Sequence, residues 1–327
     1  MYYLSDLYEG AGIFKSAANR EYLFPLGIGE KANINILALG DVGGILLTGL
    51  VLLGGKVINK VGIFDINKNN IERYEAEMNQ IAYPCKSGLL PETVAILDED
   101  ELFHCDVFVF CASKGVPAVN SGVSDVRMAQ YEGNRKIVEH YAKLAALKSF
   151  AGVFAVVSDP VDPLCKAAYM MSGLSPGQFR GFGLGIMNAR ALYYAQKEKK
   201  FARYATEGRA FGPHGQDLVI ADSILNYNND ISRELTQKVV TENIRIRQMG
   251  FKPFMAPALS SGALSILSML KGEWHYSSNY IGDGPDGAFF GALNRITDRK
   301  TEIENVELPE KLFERIQASY GNLRVKF

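Results

Sequence analysis

The chain has 327 residues, 47% apolar and 22% charged, with a formal net charge of -1. These near-average values exclude a disordered or low-complexity chain and carry no charge bias towards nucleic acid or a membrane surface. The length predicts two domains, or one doubly wound sheet with a second lobe.

The first 32 residues lack periodicity and read as an N-terminal arm or covering segment. Asn33 to Leu39 (NINILAL) then predicts a buried strand, GDVGG a turn, and the apolar run to Leu53 a helix. Broken by glycines, the run from Gly43 to Gly55 falls short of the roughly 20 residues of a membrane span. The start MYYLSDLYEG has no secretory-leader pattern, so a cytoplasmic location without membrane or nucleic-acid partners is expected. VGIFDIN is a second strand closed by Asp65, followed by a helix from Lys68 to about Ile81, which completes a βαβ unit. Further strands are expected at Asp106 to Ala112 and Phe150 to Ser158, with a helix over Asp125 to Leu147 between them.

This alternation predicts an α/β fold: a Rossmann-type doubly wound parallel sheet over 33–181. An α+β substrate-binding domain is expected over 182–327, with long helices around Asn188 to Ala202 and Asp217 to Met249 and turn-rich segments after them. Cys85, Cys105, Cys111 and Cys165 are too scattered for a disulfide framework or a CxxC site and read as buried thiols. The four histidines form no metal-ligand pair, so no metal is expected.

Ala38, Gly40, Asp41, Val42 and Gly43 form the turn where a dinucleotide's pyrophosphate approaches backbone and helix N-terminus, although Ala38 replaces the first glycine of G-x-G-x-x-G. Asp65, 22 residues after Gly43, suits the adenosine ribose hydroxyls and disfavours a 2′-phosphate, which makes NAD the expected cofactor. A plain tight turn with a loop-capping Asp65 is the alternative. His104, His140 and His275 have the surroundings of surface or packing residues. His214 differs, because Gly212-Pro213-His214-Gly215 lets a loop press an imidazole against a ligand and exchange a proton near neutrality.

With GFGLGIMNAR (Gly181 to Arg190) and SDPVDPL (Ser158 to Leu164) in the same order, the chain resembles the L-lactate and L-malate dehydrogenase family over essentially everything after residue 33. The resemblance implies that His214 is the proton donor and acceptor and that Arg190 holds the substrate carboxylate. It also implies that Arg127, seven residues before Asn134, polarises the reacting carbonyl. Arg127 as a solvated helix residue and Arg190 as a surface ion-pair partner remain open alternatives. A homodimer or homotetramer is implied as well.

Two positions depart from the family pattern. Met187 stands where the family has the aspartate that orients the histidine, and Asp159 stands where it has an asparagine beside the nicotinamide. Asp159 is therefore expected to return the missing charge to His214 or to the nicotinamide ring. The substrate-selecting position falls among Ala118, Val119, Asn120 and Ser121; none is an arginine, which favours a monocarboxylate 2-hydroxy or 2-oxo acid over malate unless Lys114 or another cation reaches the pocket. The resulting expectation is an NAD-dependent 2-hydroxy acid dehydrogenase. Its rival is an NAD(H)-binding sensor or structural homologue that lost catalysis with the aspartate, and a changed chemistry on the same scaffold stays open.

Overall fold

The computed structural model describes residues 1–7, 22–27, 29–115 and 126–326, except the side chains at positions 126, 127 and 326. Continuous β-branched and aromatic runs make strands buried on both faces: β1 (Ala32–Leu37), β2 (Ile58–Phe64), β4 (Val107–Phe110) and β5 (Val153–Val156). The short strands β3 (Glu92–Ala95) and β6 (Phe179–Gly181) complete a parallel set in the order β3-β2-β1-β4-β5-β6. Crossover helices α1 (Asp41–Leu53), α2 (Lys68–Asn79), α3 (Val126–Leu147) and α4 (Val161–Ser172) accompany it. The order reverses between β1 and β4, and the crevice at such a switch point is where open α/β sheets bind ligands.

The second half begins with α5 (Leu184–Lys197), the single turn α6 (Tyr204–Glu207) and the hairpin β7 (Arg209–Phe211) and β8 (Val219–Ala221). It continues through α7 (Asn229–Gln248), a π-helical segment Pro257–Leu264 and α8 (Ser265–Leu270). The strands β9 (His275–Ile281), β10 (Ala288–Thr297) and β11 (Lys300–Ile303) precede the closing helix α9 (Glu310–Lys326). These last strands extend the parallel sheet to nine, because β9 pairs antiparallel with β6 through Gly181 and Ser278. A Cβ on Gly181 would lie 2.7 Å from Val161 Cγ1 and 3.1 Å from Ser278 Cβ, so a larger residue would push the two halves apart.

Several expectations are corrected. The segment after about residue 250 carries three strands. Wholly buried, β9 still reads HYSSNYI because its polar groups hydrogen-bond Arg180 on β6 and Asn294 on β10, which hides the apolar signal. The helix expected from Asp217 starts only at Asn229, since 219–221 pair with β7 and Asn228 caps α7 by accepting from the backbone N–H groups of Asp230 and Ile231. In the N-terminal segment, Leu4 and Leu7 pack on Phe313, Ile316 and Tyr320, so this part covers its own chain; residues 8–21 lie outside the described residues. Cys111 and Cys165 are buried as expected, but Cys85 is exposed. Among the described residues no helix is long and apolar enough to cross a membrane.

Candidate active site

A cavity of about 890 Å³ opens at the carboxyl ends of β1, β4 and β5, roofed by α7 and the π-helical segment. At its floor Ala38 holds φ 74°, a left-handed conformation that explains why glycine is usual there. A Cβ on Gly43 would stand 1.9 Å from the Ala38 carbonyl oxygen, so the turn requires glycine, whereas nothing lies within 4 Å of a Cβ on Gly40. Among the described residues no side chain caps the N-terminus of α1, which leaves the first-turn N–H groups and the positive end of the helix dipole towards the cavity.

Asp65 lines the cavity and is engaged by protein as well: its Oδ2 accepts from the Leu39 N–H (2.7 Å) and its Oδ1 from the Asn67 N–H (2.8 Å). A carboxylate has about four acceptor sites, so Asp65 caps its loop and retains lone pairs for a ligand. Asp41 Oδ2 is paired with Lys252 Nζ at 2.9 Å, which offsets its charge beside the turn. An uncapped helix end, open space above Gly40 and a buried carboxylate closing the second strand together fit a dinucleotide.

His214 enters the cavity on the loop after β7, and Gly183 makes the room: a Cβ there would come within 2.7 Å of His214 Cβ. The His214 N–H donates to Asp162 Oδ2 (3.3 Å), and Asp162 in turn accepts the Ser278 hydroxyl. His214 Nδ1 lies 3.0 Å from Asp159 Oδ1, an ion pair when the imidazole is protonated. The imidazole is 15% exposed and the Asp159 carboxylate 47%, so the pair sits at the boundary of solvent. Asn134, fully buried, donates to the Asp159 carbonyl (2.8 Å) and accepts from the Lys114 N–H (2.8 Å), tying the two loops together.

Arg190 projects from α5 and is 9% exposed. Burial draws its pKa below the ordinary value, while Glu242 and Asp159 act in the opposite sense. Among the described residues only Nη1 meets acceptors, the Val239 carbonyl (3.1 Å) and Met187 Sδ (3.8 Å). Arg190 is thus a cavity residue and not a surface ion-pair partner. Met187 is 2% exposed and packs in an apolar cluster with Leu184, Leu218, Leu235 and Val239. The carboxylate facing His214 therefore comes from the loop after β5, while the Met187 position serves packing.

His104 and His140 pair with Glu101 and Glu99 at the surface, and burial pushes His275 down to about 3. Arg127 falls in the first turn of α3, but its side chain lies outside the described residues, as do Ala118 to Ser121. Sequence reasoning missed Asp162, Asn243, Arg247 and Ser261. Ser261 donates to the Gly183 carbonyl and accepts from the Ile186 N–H, both at 2.8 Å, locking the π-helical segment to α5. Its only signal was a small polar residue beside a glycine.

The fold and this cleft define a Rossmann-type doubly wound α/β protein with a glycine turn at one end of its cavity and a histidine, carboxylate and arginine at the other. No protein-family model matches the chain. In sequence it is similar to the L-lactate dehydrogenase of Treponema denticola, 29% identical over 197 residues, covering 60% of this chain and 58% of that enzyme. The L-lactate dehydrogenase of Lactobacillus helveticus is 25% identical over 217 residues, covering 66% and 63%. The chain thus spans about three fifths of the relatives it matches. Among solved structures, the apo malate dehydrogenase of Picrophilus torridus superposes with a TM-score of 0.72 at 19% identity, covering 90% of this chain and 95% of that one. The malate dehydrogenase of Archaeoglobus fulgidus in complex with NADH gives 0.71 at 16% identity, covering 89% and 97%. The resemblance to the L-lactate and L-malate dehydrogenase family holds in sequence and in fold.

Proposed function

We propose that this protein is an NAD-dependent dehydrogenase of small 2-hydroxy and 2-oxo acids, with 33–181 holding the dinucleotide and 182–327 completing the substrate site. The observation that carries the reading is the convergence of His214, Asp159 and Arg190 on the cavity that begins at the glycine turn. The unengaged edge of the Arg190 guanidinium suits a carboxylate bound at two points. His214 removes the proton of the 2-hydroxyl through Nε2, or returns it to the 2-oxo oxygen, and Asp159 on the Nδ1 side stabilises the imidazolium that forms. Bound NAD supplies the hydride acceptor.

In this reading Asp159 takes over the charge that Met187 lacks, and retention of the whole acid-binding set separates it from a binding-only homologue. The cytoplasmic location and the homodimer or homotetramer belong to the same proposal. The test is NADH oxidation against a panel of 2-oxo acids. Turnover is expected, falling about 10³-fold in His214→Ala and about 10²-fold in Asp159→Asn. NADH binding with no turnover on any acid would sink the reading, and an unaffected Asp159→Asn would remove the substitute carboxylate.

A further inference from the structure

Arg190 is not the only guanidinium on the cavity wall. Val239, Asn243 and Arg247 follow one another at intervals of four along α7, so they share one face at about 6 Å per step. Val239 gives its carbonyl to Arg190, while Asn243 and Arg247 both line the cavity. Helical side chains lean back towards the N-terminus, which carries the Arg247 guanidinium towards Asn243 and the Arg190 end. The guanidinium of Arg247 has no ion pair or hydrogen bond to a described residue, and the buried Asn243 Oδ1 is also without a partner. Neighbouring Arg245 is spent on Glu242, at hydrogen-bonding distances of 2.9 and 3.1 Å from Nε.

The carboxylates on the same wall are engaged. Asp41 faces Lys252, Asp65 accepts two backbone amides, and Asp159 faces His214. Arg190 and Arg247 both keep donors that no described residue takes, and the α1 N-terminus at the glycine turn is available to the dinucleotide's pyrophosphate, so two guanidiniums remain for the acid. Desolvated cations facing a cavity are stabilised most by an anion that pairs with them.

We propose that Arg247, with Asn243 one turn before it, is a second anion anchor that selects a 2-oxo or 2-hydroxy acid carrying a second carboxylate. The inference rests on the dehydrogenase reading above. It places the selecting cation on α7, so the absence of an arginine among Ala118 to Ser121 ceases to favour a monocarboxylate. Asn243 takes part through its amide: Nδ2 donates to the bound carboxylate, and the Arg247 guanidinium, drawn in beside it, serves Oδ1.

The experiment compares kcat/KM for 2-oxo acids of equal chain length that end in carboxylate or methyl, oxaloacetate against 2-oxobutanoate and 2-oxoglutarate against 2-oxopentanoate. It is paired with calorimetric titration of hydroxymalonate and lactate into the protein saturated with NADH. The diacid is expected to win in one pair by at least tenfold. That ratio should fall at least tenfold in Arg247→Gln, fall less in Arg247→Lys, and stay put in Arg245→Gln. An unchanged ratio with weakened NADH binding would reassign Arg247 to the cofactor's phosphates and overturn the proposal, as would a wild-type preference for the methyl-ended acids. If no acid turns over, hydroxymalonate binding that depends on Arg247 keeps the anchor while the dehydrogenase reading fails; binding indifferent to Arg247 removes the anchor.

Discussion

Two arginine–histidine neighbourhoods lie on either side of the site-forming segment, and they have opposite characters. Arg180 on β6 is 1% exposed, with Nη1 donating to Asn279 Oδ1 (2.7 Å) and Asn294 Oδ1 (3.3 Å), Nη2 donating to Thr301, and Nε without a partner among the described residues. Burial lowers its pKa to about 10, and nearby His275 is kept neutral by burial. Arg190 and His214, made of the same two side-chain types, face a cavity and a carboxylate. Residue type therefore does not separate structure from chemistry here. Access and the presence of a counter-charge do, because a sealed cation can only organise its own neighbours while an open one can exchange water for a ligand.

The sharpest break of this comparison is a crossed substitution. Arg190→Met should lower kcat/KM by about 10²- to 10³-fold, the worth of a two-point charge-assisted contact, with little change in Tm. Arg180→Met should do the reverse: leaving the Asn279 oxygen without its Arg180 donor, and Asn294 with only the Ser277 hydroxyl, costs about 2 kcal/mol and lowers Tm by several degrees, while KM holds. Calorimetry and steady-state kinetics on both variants decide it, and matched losses in both readouts would dissolve the distinction.

A smaller effect is expected from pH. The folded pKa of His275 lies below its unfolded value of about 6.5, so the unfolded chain binds the extra proton and acid favours unfolding. The stability associated with neutral His275 is fully present above about pH 6.5 and is lost progressively as pH falls towards 3. His275→Gln is destabilised at pH 7.5 but should show a shallower decline in Tm between pH 7 and 5; parallel curves would mean that His275 is not kept neutral. The smallest effect should come from Met187→Leu, which conserves an apolar packing position and should alter turnover less than about threefold. A large loss would give Met187 a part beside Arg190 that packing does not explain.

Local pattern was enough for the nucleotide half. β1, α1, β2 and α2 follow from apolar runs and a glycine turn whose geometry depends on residues a few positions apart, and the Gly43 Cβ test shows how narrow that local requirement is. The order of motifs likewise brought His214, Arg190 and Asp159 forward as one set. The polar strand β9 escaped notice because its signal is hydrogen-bond complementarity to Arg180 and Asn294, residues up to 114 positions from one another. Asn243 and Arg247 escaped for a related reason: on an amphipathic helix a cavity-facing polar residue has the same pattern as a solvent-facing one. Sequence by itself determined the Rossmann-type half and the family resemblance. Only the tertiary structure decided which carboxylate meets His214 and which α7 cation faces the pocket, because both depend on separate chain segments converging at the end of one sheet.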